Sequence, residues 1–325
     1  MGNVFCALQQ SHTNTIMLIS LFYIVVPLIL IGTVAAKRQP NTVFWLLTAI
    51  AFGSIMAYLW ATVRWEMVSI YIRPLFPVLF LIAVAISYRR IRKPISKTKK
   101  MVVVLEAGIY MILLVLFSGL NWFTFKGYSI PDDTIDLASP FRHGKQIVLH
   151  GGASPFTNGH FHVKPQNHAL DIVGLNALGM RSTTFVGGEN LENYAIFGEQ
   201  IYSPIDGTIS VVVDKFDDQN PPITDVGHLA GNHILIVSGG VEVLLAHLKK
   251  GSVLVDEGDY VTTNTPLGKV GNTGNTSEPH LHLHVESGGI PKTILNGTAV
   301  PFTINGRYLI RGDVLNHSAP QVEDR

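Results

Sequence analysis

The chain is 325 residues long, 47% apolar and 14% charged, with a mean hydropathy of +0.30. Soluble globular domains carry about 25% charged residues, so a single soluble domain and a disordered chain are both excluded. One cysteine, Cys6, excludes a disulfide scaffold. The net charge of +1 conceals a division: residues 1–120 hold eleven basic and two acidic side chains, net +9, while the rest hold thirteen and twenty-one, net −8, together with twelve of the thirteen histidines. Two physically different halves follow, and the acidic second half argues against a nucleic-acid partner.

Four apolar stretches occupy the first half, at about 16–36, 43–63, 69–88 and 101–120. Each is near the ~20 residues a helix needs to cross a bilayer, so residues 1–120 are expected to form four transmembrane helices. The third is the weakest, interrupted at its start by Arg73, Pro74 and Pro77. Arg73 and Glu106 are expected at the interface, where a long side chain can snorkel. The segment Arg89–Lys100 carries seven positive charges and no acid. By the positive-inside rule it faces the cytoplasm. Lys37-Arg38 then lies on the same side and Arg64-Trp65-Glu66 on the other, so the fourth helix runs outward, toward an aromatic belt of Trp122, Phe123 and Phe125. A multi-pass cell-membrane protein with an extracytoplasmic C-terminal half is the expectation.

Residues 121–145, with Pro131, Asp132, Asp133, Pro140 and Gly144, read as a linker. Beyond it come short apolar runs broken by Gly, Asn, Asp and Pro: 146–150, 169–175, 208–213, 233–237, 241–247 and 280–285. This is the pattern of an all-β domain of antiparallel sheets. The sharpest feature is Pro279-His280-Leu281-His282-Leu283-His284-Val285. Side chains alternate in a strand, so the three histidines share one face, about 7 Å apart along it. Such spacing lets one imidazole bind a metal while its neighbour reaches water beside the ion. A plain polar strand face is the alternative. The Gly/Asn-rich loop 271–278 runs into this strand, His247 ends another apolar run, and Asp171 follows an apolar pair in Ala169-Leu170-Asp171-Ile172. A charge in such a run must be paired, hydrogen-bonded or metal-bound. A catalytic zinc takes three protein ligands and keeps one open position, and two nitrogens with one carboxylate is an accepted set.

The ordered series Tyr202-Ser203-Pro204-Ile205-Asp206-Gly207, Gly231-Asn232-His233, Leu245-Ala246-His247-Leu248, Gly258-Asp259-Tyr260-Val261, Pro266-Leu267-Gly268, Gly271-Asn272-Thr273-Gly274 and Pro279-His280-Leu281-His282 resembles a lysostaphin-type (LytM-type) zinc endopeptidase domain. The resemblance covers roughly residues 160–290. It implies hydrolysis of peptide cross-links in bacterial peptidoglycan by a zinc-activated water. It also implies Asp171 and His282 as Zn2+ ligands, His280 as the general base or water-orienting group, and His247 as the group that stabilises the oxyanion. His284 has no role in the family pattern.

One departure concerns the first ligand. The family pattern places a histidine four residues before the Asp, where this chain has Asn167, and His168 is three residues before it. Odd spacing puts His168 and Asp171 on opposite faces of a regular strand unless a bulge intervenes. A closer variant of the family has Thr-Asn-x-His, a loop, then Gln-x-x-Ala-Leu-Asp-Ile, matched here by Thr157-Asn158-Gly159-His160 and Gln166–Ile172. His160 is then the first ligand, with His168 and His162 as alternatives. The domain is expected over 146–290, with a tail at 291–325 packed on or beside it. Three functions stay open: a membrane-anchored wall endopeptidase; an inactive relative that binds the wall or regulates another hydrolase; and a β scaffold or carrier of lipoyl type, for which no suitably flanked lysine is present. Peptidoglycan peptides and the bilayer are the expected partners, and a membrane-protein partner fits the surplus of helices.

Overall fold

The computed structural model describes residues 2–91, 100–185 and 187–317. Four helices come first: α1 (Gly2–Ala36), α2 (Thr42–Thr62), α3 (Leu75–Tyr88) and α4 (Lys100–Lys126). Among the described residues, four spans, Leu18–Ala36, Thr42–Thr62, Ile70–Tyr88 and Met101–Lys126, are long and apolar enough to cross a membrane. α2 starts at Asn41, whose side chain accepts the Phe44 N–H at 2.8 Å and satisfies one of the unpaired first-turn donors. The interior of the bundle is aromatic, with Phe44, Phe52, Trp65, Phe76, Phe80 and Tyr110 buried together. Leu81, Val104, Ile112 and Val115 on the outer faces are each more than 60% exposed. Such an apolar exterior suits lipid as the surrounding solvent.

Of the basic segment 89–100, residues 92–99 lie outside the described residues. Arg90 donates to the Ala36 carbonyl at 3.4 Å, so the end of α3 and the Lys37-Arg38 turn come together. Lys37 pairs there with Glu106 at 2.8 Å and donates to Tyr110 Oη at 2.7 Å. At the opposite end, Pro74 holds α3 back to Leu75, and two single turns of 3-10 helix (65–67 and 70–72) fill the connection from α2. Arg73 turns toward the β domain. Its guanidinium stacks on Trp60, 3.9 Å from the ring centre, and donates to the Gly312 carbonyl at 3.0 Å.

The second half is β-rich: β1 (Ile135–Leu137), β2 (Gly144–His150), β3 (Leu170–Gly174), β4 (Gln200–Tyr202), β5 (Gly207–Val213), β6 (His233–Ser238), β7 (Val241–Ala246), β8 (Tyr260–Val261), β9 (Pro266–Lys269), β10 (Leu281–Ser287), β11 (Thr298–Ala299), β12 (Phe302–Ile304) and β13 (Val314–His317). The main antiparallel sheet runs β13-β2-β3-β10-β7-β6-β5-β8, with β11 added beside β10. β4 and β9 form a second antiparallel pair, and β1 and β12 a parallel one. Leu170, Ile172, Ile234, Val243, Leu281 and Leu283 are nearly inaccessible and build the core beneath the central strands.

Two segments are more structured than their composition suggests. α4 continues to Lys126 and β1 lies at 135–137, both within the Pro/Asp-containing stretch 121–145. The residues after 290 supply β11, β12 and β13, so they are woven into the sheets. Short strands of mixed polarity leave little periodic signal, and each is stabilised by a partner distant in sequence.

Candidate metal centre

β3 and β10 pair in register, with His282 opposite Asp171. Directly opposed residues project from the same face, so pairing alone brings the imidazole to the carboxylate. Leu281, Leu283 and Val285 point into the core, and His282, His284 and Glu286 take the other face, all of them buried. Asp171 Oδ1 is 2.8 Å from His282 Nδ1. His160 arrives from the loop between β2 and β3. Asn158 shapes that loop: its amide donates to the Gly152 and Ala169 carbonyls at 3.1 and 3.2 Å, and its carbonyl oxygen accepts the His160 N–H at 3.0 Å. His160 Nε2 thereby comes to 2.8 Å from Asp171 Oδ2. One ligand atom from each of His160, Asp171 and His282 lies within 4.8 Å of the other two.

Donor accounting indicates what this cluster needs. Glu286 accepts four N–H groups: His284 Nε2 at 2.7 Å and the backbone of Leu295, Asn296 and Gly297 at 2.9, 3.1 and 2.6 Å. Burial would raise its carboxyl, but the bonds to His284 and Gly297 outweigh burial and keep it ionised. A carboxylate only accepts, so His284 carries a proton on Nε2, and its neutral form offers a lone pair at Nδ1. That lone pair is 2.8 Å from His282 Nε2, which must be the donor. Neutral His282 therefore turns its Nδ1 lone pair toward a carboxylate oxygen. Burial drives its pKa down to about 3, against the pull of Asp171. Two acceptors face each other at hydrogen-bond distance, an arrangement that a cation between them resolves. The residues present fit a divalent metal ion, and the N–H of the ligand imidazole is committed to a neighbour, as ligand histidines generally require.

Two more histidines flank the cluster. His280 Nδ1 donates to the Glu278 carbonyl at 2.9 Å, leaving Nε2 3.5 Å from Asp171 Oδ1. His247 follows β7 at φ +63°, and its Nδ1 donates to the Thr273 carbonyl at 2.8 Å. Their rings are 4.7 Å apart, and both present Nε2. Burial, then the neighbouring His280 and His282, hold His247 neutral, whereas the Asp171 charge raises His280 against its burial. A cavity of about 270 Å³ opens beside them, lined by His160, His247 and His282 with Leu229, Leu244 and Leu295.

The remaining candidates fall elsewhere. His168 Nδ1 is 3.4 Å from Tyr308 Oη, and His162 lies edge-on to Phe161 with ring centres 5.2 Å apart; neither joins the cluster. His168 lies in the turn before β3, outside the strand that carries Asp171. The His284–Glu286 chain escaped the sequence reading, although alternation along 280–286 already put Glu286 on the histidine face.

Residues 190–294 match the model of peptidase family M23. The chain carries an M23 peptidase domain. His247, His280 and His282 fall within the matched part of the M23 domain, and His160 and Asp171 precede it. The matched residues belong to the antiparallel β domain. Among solved structures, a zinc-containing peptidase from Vibrio cholerae is 29% identical, with 28% of this chain and 25% of that chain covered and a TM-score of 0.22. The catalytic domain of the antimicrobial peptidase lysostaphin from Staphylococcus simulans is 18% identical, covering 48% of this chain and 86% of that one at a TM-score of 0.28. A putative M23 peptidase from Pseudomonas aeruginosa is 19% identical, covering 48% and 47%, at 0.27. The chain thus spans a quarter of the Vibrio cholerae peptidase. No curated protein matches it.

Proposed function

We propose that the chain is a membrane-anchored zinc metalloendopeptidase that hydrolyses peptide cross-links of bacterial peptidoglycan on the outer side of the cell membrane. The observation that carries this reading is the convergence of His160, Asp171 and His282 on one point beside an open groove, in a chain with an M23 domain. These three residues would hold the ion. A bound zinc ion supplies an activated water and polarises the scissile carbonyl. In its neutral form His280, whose Nδ1–H is fixed on the Glu278 carbonyl, has Nε2 available to take the proton of the attacking water. Neutral His247, its Nδ1–H committed to the Thr273 carbonyl, would donate to the developing oxyanion from Nε2 with the proton that His280 has taken from the water. The apolar wall of Leu229, Leu244 and Leu295 excludes water along one side of the groove.

The inactive-relative reading drew on the displaced first histidine. His160, brought to Asp171 by the Asn158 loop, supports the peptidase reading over that one. The test uses the full chain in detergent, with one zinc per chain expected and muropeptide cross-links cleaved. His282→Ala should lose both while keeping the melting transition of the β domain. Wall binding by a zinc-free, correctly folded chain would overturn the peptidase reading.

A further inference from the structure

Arg64 belongs to the connection between α2 and α3, outside the peptidase domain. Its guanidinium nevertheless reaches Glu278, with Nη2 2.5 Å from Oε1, while its Nε is 2.7 Å from Glu66 Oε1. The other Glu278 oxygen faces Arg181 Nε at 3.1 Å. That second contact is an ion pair only: Arg181 Nε makes no hydrogen bond, so Arg64 is the cation that hydrogen-bonds the carboxylate. Glu66, Glu278 and Arg181 are buried. The backbone continues the joint. Arg181 N–H donates to the Glu66 carbonyl and Ile70 N–H to the Gly179 carbonyl, each at 2.9 Å, and Ser69 Oγ donates to the Leu178 carbonyl at 2.7 Å.

Glu278 has a second task. Its carbonyl accepts the Nδ1–H of His280, and Thr276 Oγ1 donates to the same carbonyl at 2.7 Å. Only Pro279, with its restricted φ, separates the two residues. The residue gripped by the membrane half is therefore the one that sets the tautomer and direction of His280. We propose that Arg64 is a positioning residue for His280: the α2–α3 connection forms part of the frame of the active site, and the helical bundle and the peptidase centre are one mechanical unit. This deepens the peptidase reading and rests on it. A buried carboxylate held from two sides cannot shift without uncovering charge. Loss of one guanidinium frees the 275–280 loop to move about Arg181 alone.

The experiment compares Arg64→Gln and Arg64→Lys with the unmodified chain, full length, zinc-loaded and in detergent. For Arg64→Gln, kcat on muropeptides should fall at least tenfold with KM within twofold and zinc stoichiometry intact. Arg64→Lys keeps the charge but lacks the fork that reaches Glu66 and Glu278 together, and should fall between the two. Amides of 276–283 should exchange faster with solvent in Arg64→Gln, and those of β6 should not. Turnover within twofold of the unmodified chain, or a zinc loss parallel to the activity loss, would overturn the proposal. Should the unmodified chain itself prove inactive, the peptidase reading fails separately, and amide exchange still decides the coupling: acceleration confined to 276–283 supports it, and uniform or absent acceleration refutes it.

Discussion

Replacing Glu286 by Gln tests whether the chain Glu286–His284–His282 sets the metal-binding tautomer. Oε1 holds His284 and Leu295, and Oε2 holds Asn296 and Gly297. A glutamine must turn its amide toward one of these pairs. Facing Asn296 and Gly297, it orphans two backbone donors. Facing His284, it orphans only the Leu295 N–H, because His284 can invert its tautomer and accept at Nε2. The second orientation is preferred in the metal-free chain. His284 then donates from Nδ1–H to the Nε2 lone pair of His282, and the single proton of neutral His282 sits on Nδ1, where the ligand lone pair is needed. Metal binding must then reverse both tautomers and orphan one more buried donor, at about 1–3 kcal/mol. With tenfold per 1.4 kcal/mol, zinc affinity should fall by about 5- to 150-fold. The metal-free variant should also be about 1–3 kcal/mol less stable, from the Leu295 donor. Competition with a chromophoric chelator measures the first quantity and a melt of the metal-free chain the second. Zinc affinity within twofold of the unmodified chain, on a destabilised fold, would refute the tautomer argument.

Three further outcomes are expected. His160→Ala should abolish stoichiometric zinc binding and His168→Ala should leave it intact, as read by metal analysis after dialysis, because only His160 reaches Asp171. Glu278→Gln should destabilise the chain by about 3 kcal/mol at pH 7: burial raises this carboxyl, but Arg181 and Arg64 outweigh it and hold it near about 2 against 4.5 unfolded. The folded value is the lower, so this stability is present above pH 4.5 and lost as pH falls toward 2; the gap in melting temperature should shrink to about 60% by pH 3.5. Gly231→Ala should cost about 2–5 kcal/mol in a thermal melt, since φ there is +56° and a Cβ would strike the Thr273 carbonyl.

Features governed by local period were legible in the chain itself. The four apolar runs became helices, and alternation along 280–286 put His282 on one face and its leucine neighbours in the core. The parity argument for His168 assumed a regular strand, and the residue instead lies in the turn before β3. Features governed by pairing were not legible: β1 finds β12, and β13 finds β2, across most of the domain, and neither short strand carries a period that names its partner. His160 lies between these cases. It could be singled out only because Asn158 and Gln166 flank it in a known arrangement; the force that aims it, a side-chain amide tied to two carbonyls, has no sequence period.

Arg64-Trp65-Glu66 carries the argument furthest. As sequence it is a loop of zero net charge, and its neutrality was the reason to put it on the outer side. The same cancellation has a structural origin: Arg64 and Glu66 pair with each other at 2.7 Å, and Arg64 then spends its second edge on Glu278. Arg181 brings the cluster to two cations and two anions, a balance that lets Glu66, Glu278 and Arg181 be buried beside the partly exposed Arg64 without an uncompensated charge. A loop needed only for topology could carry its charges in water. Here Glu66 and Glu278 are buried and Arg64 reaches the residue that holds His280, so the charge balance of this loop is also the condition for docking the helices on the β domain.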